Sequence, residues 1–136
     1  MKNKKKREWH KENIVSIDFD GVLMQYNGWK GANATRKPMK GAREFVLKLI
    51  ETGYKPVVFT TRKPPVVNAW LKRYEFPKIE VTNTKHPSVV YIDDRCVKFD
   101  GSYAKLTRDL KKYDVYWRKK KTKIFSKLFS TKANKK

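Results

Sequence analysis

Acidic, cysteine and histidine residues are scarce in this chain: 13 Asp and Glu stand against 34 Lys and Arg, with one cysteine and two histidines among 136 residues. A single cysteine, Cys96, excludes an internal disulfide, and without a His/Cys cluster a zinc site has no ligands to draw on. Cys96 reads as a packing residue rather than a nucleophile, and His86, before Pro87, as a turn residue, with a place lining a site beside Lys85 as the alternative. No apolar run approaches the roughly 18 residues needed to cross a bilayer. The opening Met1-Lys2-Asn3-Lys4-Lys5-Lys6-Arg7 has no apolar stretch behind it that could act as a secretory signal. These absences predict a cytoplasmic protein, and its length, with 39% hydrophobic residues, admits one domain with a modest core. There is no internal repeat.

What is abundant is positive charge, and it is unevenly placed. The net charge is +21; residues 118–136 hold nine basic and no acidic residues, and residues 1–13 hold six basic and two acidic ones. The expected organisation is a basic N-terminal arm at 1–13, a folded domain at 14–117 and a Lys-rich tail at 118–136, in a monomer. Basic arms attract polyanions by releasing counterions, which predicts salt-dependent, sequence-independent binding of RNA or DNA. Ile124, Phe125, Leu128 and Phe129 interrupt the tail at helical spacing, so a short amphipathic helix on an anionic membrane or a partner is an alternative, as is a purely solubilising charge run.

The most informative stretch is Ile14-Val15-Ser16-Ile17-Asp18-Phe19-Asp20-Gly21, strand-forming residues that end in two carboxylates and a glycine. Side chains at i and i+2 of an extended chain share a face, so Asp18 and Asp20 can enter one site where the strand stops. Two adjacent anions need relief, from a divalent metal or from protonation of one of them. Two more apolar runs also end in polar groups: Pro56 to Phe59 leads into Thr60-Thr61-Arg62, and Ser88 to Ile92 leads into Asp93-Asp94-Arg95, with Lys85 between them. Read singly, each has a plain alternative: Lys85 a solvated surface residue, Thr60 a turn former, Arg62 and Arg95 surface ion pairs.

Taken in order, Asp-x-Asp-Gly, Thr, Lys and an acidic pair resemble the four motifs of the haloacid dehalogenase (HAD) superfamily of phosphohydrolases, over residues 14–101. The resemblance implies that Asp18 is a nucleophile forming an aspartyl-phosphate and Asp20 a general acid and base. It further implies that Thr60 and Lys85 hold the phosphate. Mg2+ is the implied cofactor, bound by Asp18, by the Asp20 backbone carbonyl and by one or both of Asp93 and Asp94. Its preference for hard oxygen ligands fits that set. Thr61, Arg62 and Arg95 are the substrate-binding candidates. Val22 stands where many members of the family carry Thr.

Apolar spacing predicts a helix from Met39 to Thr52 with Ala42, Phe45, Val46, Leu49 and Ile50 facing the core. A second opens at Pro64-Pro65 with Val66, Val67, Trp70, Leu71 and Tyr74, and a third near Ser102 carries Tyr103, Leu106, Leu110 and Tyr113. Trp70, Tyr74 and Tyr103 read as core. With a short strand near Ile79 to Thr82, this alternation predicts an α/β, Rossmann-like domain whose mainly parallel sheet gathers the polar strand ends at one edge. Neither the segment between Gly21 and Lys40 nor that between Thr60 and Lys85 has room for a cap domain, so the site should be open, flanked at most by the 27–33 segment with Trp29 at its tip.

The expected activity is Mg-dependent hydrolysis of a phosphomonoester, on a nucleotide or a nucleic-acid phosphate end. Ile92-Asp93-Asp94-Arg95 also looks like the acidic motif of some 5'(3')-deoxyribonucleotidases, although those relatives carry a cap. The alternative is a nucleic-acid-binding protein that keeps the fold with incidental or no phosphatase activity.

Overall fold

The computed structural model describes residues 13–118, which fall into two compact units divided between Asp93 and Asp94. The expected basic arms lie, apart from Asn13 and Arg118, outside the described residues.

The first unit is built on four strands, β1 (Ile14–Ile17), β2 (Lys55–Phe59), β3 (Glu80–Thr82) and β4 (Val90–Ile92), in the spatial order β3-β2-β1-β4. All neighbours are parallel: Ser16 faces both Val57 and Tyr91 in register, and Val58 faces Val81. The carboxyl ends of the strands therefore meet at one edge, as the alternation of elements predicts. Helix α1 (Ala42–Glu51) links β1 to β2, and α2 (Pro64–Arg73) links β2 to β3. No helix lies between β3 and β4 among the described residues. No helix there is long and apolar enough to cross a membrane.

One face of the sheet carries the core. Val15, Ile17 and Val58 pack with Ala42 and Val46 of α1, Val67, Trp70 and Leu71 of α2, and Phe19, Leu23 and Met24 from the turn after β1. Full burial of each such aliphatic or aromatic side chain stabilises the fold by roughly 1.5–3 kcal/mol. Trp70 is the hub: its ring centroid lies 4.8 Å from that of Phe19, edge-on, and 5.1 Å from those of Tyr74 and Phe76. The opposite face bears Ser16, Val57 and Tyr91, by the alternation of side chains along the strands. There the β3–β4 connection supplies the contacts: Ser88 Oγ lies 2.7 Å from Ser16 Oγ, His86 Nε2 lies 2.5 Å from Glu80 Oε2, and the Tyr91 hydroxyl donates to the His86 carbonyl.

Two expectations about α1 need correction. Helix α1 starts at Ala42 rather than Met39, because Met39 N–H bonds to the Leu23 carbonyl and Met24 bridges Pro38, which keeps the chain extended up to the left-handed turn at Gly41 (φ 83°). Its buried stripe is narrow: Ala42 and Val46 are buried and Leu49 partly so, while Phe45 and Ile50 are over 40% exposed. The third apolar run is an edge strand, with Val89, Val90 and Tyr91 all exposed.

In the second unit, α3 (Tyr103–Lys112) is capped by Ser102, whose Oγ accepts the Lys105 backbone N–H at 3.2 Å. The helix has no fully buried residue, and Tyr103 is 75% exposed rather than core. Lys105 Nζ lies 2.8 Å from Asp109 and 3.5 Å from Asp100. The hydrogen bond to Asp109, with the Asp100 charge behind it, raises the Lys105 pKa above the usual lysine value. Cys96 is exposed, not packed.

Candidate acidic site at the strand ends

Strand β1, one of the two inner strands, is the one from which the site is built. Beyond its last residue the ladder takes one more step, since Asp18 N–H donates to the Ile92 carbonyl at 2.8 Å. Asp18 and Asp93 thus leave the sheet side by side, each one residue past its strand, and their carboxylate oxygens come within 4.8 Å of one another. Asp18 is half-buried, with Oδ1 accepting the Phe19 N–H at 2.8 Å; Asp93 is exposed. An all-carboxylate pair at that distance could hold a hard divalent cation and offers no nitrogen or sulfur donor for a softer one.

After Asp18 the chain folds back sharply. The Phe19 carbonyl accepts N–H groups from Val22, Leu23 and Met24, and Gly21 sits at φ 82°, a conformation that glycine adopts without steric cost. This turn buries Phe19 and sends Asp20 to a different partner from that of Asp18. Arg62 grips the Asp20 carboxylate through both oxygens, with Nε 2.9 Å from Oδ2 and Nη2 2.8 Å from Oδ1. Arg62 Nη1 also donates to the Ala32 carbonyl at 2.9 Å, and its guanidinium lies 4.9 Å from the centroid of the Trp29 ring. Arg62 is therefore neither a surface ion pair nor a solvent-facing group: at 6% exposure it is a buried tie between Asp20, the turn at β2 and the 27–33 segment.

Thr60, directly after β2, is buried and accepts the Arg62 N–H on Oγ1 at 3.1 Å, while its own N–H bonds to the Thr82 carbonyl. Thr61 is exposed beside it. Lys85 is exposed in the β3–β4 connection, and its ammonium rests 4.9 Å from the Tyr91 ring centroid. Among the described residues a ring, not a carboxylate, holds that ammonium. Tyr91 and Asp93 are two apart on the extended chain and so share a face, which sets the ring bearing Lys85 next to the acidic pair along β4.

Asp94 and Arg95 belong to the second unit. There the Trp117 indole N–H donates to Asp94 Oδ2, and the Arg95 guanidinium stacks 5.2 Å from the Trp117 ring centroid. Burial, assisted by the negative charge of Asp94, raises the Tyr116 phenol above its usual pKa.

Sequence reasoning missed the coupling of Arg62 to Asp20 and Trp29. The one available signal was an arginine two residues after a strand-ending threonine, and spacing cannot report which carboxylate such a side chain meets. The 27–33 segment flanks the site as expected, and the chain on either side of it is pinned as well: Trp70 Nε1 donates to the Arg36 carbonyl at 2.6 Å, and Gln25 N–H to that of Lys37 at 2.9 Å. A large concavity of about 600 Å³ lies elsewhere, between α2 and β3, lined by Leu71, Phe76, Ile79 and Val81, and shares no residue with the acidic pair.

No family model matches the chain, and no curated protein does. A solved structure of a conserved protein from Bacteroides thetaiotaomicron is similar in fold, with a TM-score of 0.50 at 15% identity over 88% of this chain and 99% of that one.

Proposed function

We propose that the chain is a phosphomonoester hydrolase of HAD type, dependent on Mg2+, that acts through an aspartyl-phosphate on a nucleotide or a nucleic-acid phosphate end. The observation that carries this reading is the pairing of Asp18 with Asp93 at the end of β1, beside an Asp20 that Arg62 holds in place. Asp18 attacks phosphorus, and the bond to the leaving oxygen breaks as Asp20 donates a proton to it. Water then attacks the aspartyl-phosphate, with Asp20 taking up the proton, and phosphate is released. Arg62 makes two contacts to Asp20 Oδ1 and one to Oδ2, so Oδ2 keeps a lone-pair direction that Arg62 does not use, and the grip fixes the rotamer while leaving the acid reachable. Thr60 Oγ1 accepts from Arg62, which leaves its own hydrogen for a phosphate oxygen. Lys85, swung from Tyr91, adds a positive charge at the same edge.

A divalent cation bound by Asp18 and Asp93, with the Asp20 carbonyl as a further candidate, would neutralise the phosphate charge that otherwise repels an anionic nucleophile. Magnesium suits the hard, all-oxygen donors. The basic segments at either end would bring polyanionic substrates to the cytoplasmic monomer.

The test is turnover of p-nitrophenyl phosphate with and without Mg2+ by the wild type and Asp18→Asn. The Asn carbonyl can still accept the Phe19 N–H, so the fold should survive while activity is lost. Activity that is unchanged in Asp18→Asn rejects the nucleophile. The second reading, a nucleic-acid binder with incidental or no phosphatase activity, is favoured by the placement of Lys85 on a ring rather than on an acidic group. It predicts tight polyanion binding with no metal-dependent turnover.

A further inference from the structure

Trp29 is a large aromatic side chain left 59% exposed on a segment that is otherwise tied down. Gly28 and Gly31 flank it at φ 129° and 121°, values that L side chains rarely adopt, so the chain bends on either side of the indole and presents it at the tip. Beneath the tip, Arg62 bonds to the carbonyls of Gly31 and Ala32 and covers one face of the ring. A cation over one face leaves the other as a flat, apolar, electron-rich surface toward solvent. Holding an indole there exposes area that the core could otherwise bury, and packing within the described residues gives no reason for it.

The same guanidinium that stacks on Trp29 binds both oxygens of Asp20, so one rigid planar group holds the ring against its face and the carboxylate along its edge. We infer that Trp29 is the platform on which the leaving group of the substrate stacks, and that this leaving group is a nucleoside, with its base on the open face of the indole. The inference rests on the hydrolase reading above and names the residue that selects its nucleoside substrates. With the phosphorus at Asp18 and the leaving oxygen at Asp20, the rest of the ester runs past Arg62 toward Trp29. A sugar phosphate without a base has nothing to place there, whereas every nucleobase has a π-face, and stacking on an aromatic side chain tolerates all four bases. A free nucleotide and the phosphorylated end of an oligonucleotide offer the same chemistry.

The experiment compares kcat/KM for adenosine monophosphate, a short phosphate-terminated oligonucleotide and ribose 5-phosphate, in the full chain as wild type, Trp29→Ala and Trp29→Phe. The expected result is that Trp29→Ala lowers the preference for nucleoside phosphate over ribose 5-phosphate by roughly tenfold, mainly through KM, the scale of a single base stack. Trp29→Phe should restore most of it. Whichever nucleoside substrate shows the larger fall identifies the source. Preferences equal in wild type and Trp29→Ala for both nucleoside substrates overturn the inference while leaving the hydrolase intact. If the wild type turns over none of the three, the hydrolase reading fails. Calorimetric affinities of adenosine monophosphate and ribose 5-phosphate on the same variants then decide the platform by the same tenfold criterion.

Discussion

Arg62 and Asp20 form a two-point ion pair, 2.9 Å between Nε and Oδ2 and 2.8 Å between Nη2 and Oδ1, with the arginine side chain 2% and the aspartate 20% exposed. Removing one partner of such a pair leaves a charge without compensation in a poorly hydrated place, at a cost of about 3 kcal/mol. Arg62→Met should therefore lose about that much in urea unfolding. The double variant with Asp20→Asn should lose less than the two single variants together. A loss below about 1 kcal/mol for Arg62→Met would mean that water screens the pair as it does on an open surface.

Ile17 and Ile50 separate burial from spacing. Both fit an apolar pattern, yet Ile17 is fully buried in β1 and Ile50 is 41% exposed on α1. Ile17→Ala should cost roughly 2–5 kcal/mol through lost transfer energy and a cavity. Ile50→Ala should stay within about 1 kcal/mol. Comparable losses would place Ile50 in the core after all.

Alkaline pH should weaken the second unit. The hydrogen bond from Lys105 to Asp109, with the Asp100 charge, holds the ammonium above the usual 10.5, so the unfolded chain loses that proton first as pH rises. The stability it adds is complete below pH 10.5 and is lost as the pH passes through the raised folded value. Tyr116, raised above 10.0 by burial and then by the Asp94 charge, acts in the same direction, because folding favours the neutral phenol. Circular dichroism of α3 between pH 9 and 12 should fall, and Lys105→Gln should shallow the fall. Stability that rises over this range rejects both assignments.

Deleting residues 119–136 removes eight lysines. Affinity for RNA or DNA should drop and its dependence on salt should flatten, while turnover of p-nitrophenyl phosphate persists. Equal affinity with and without the segment rules out its role in capturing polyanions.

Much of the architecture was legible in local pattern. Asp18, Thr60 and Asp93 each follow a strand directly, as the polar ends of the three apolar runs indicated, and Pro64 does open a helix. Periodicity names the residues able to share a face but not the width of surface they meet. Phe45 and Ile50 belong to the right stripe of α1, yet the sheet beneath reaches only Ala42, Val46 and Leu49. The apolar run at Ser88 to Ile92 forms an edge strand, a position that composition cannot distinguish from a central one. The tie from Arg62 to Asp20 and Trp29 joins residues distant in sequence, and only the assembled turns bring them together.

The central position of β1 has a consequence during synthesis. Its neighbours are β2, made soon after it, and β4, made after both helices of the first unit, so a growing chain carries Ile14–Ile17 with one unsatisfied row of backbone donors and acceptors until residue 92 emerges. That open flank is an invitation to other nascent chains. Arrival of β4 closes that flank of β1 and in the same movement seats Asp93 beside Asp18, so the acidic pair forms only when the sheet is complete.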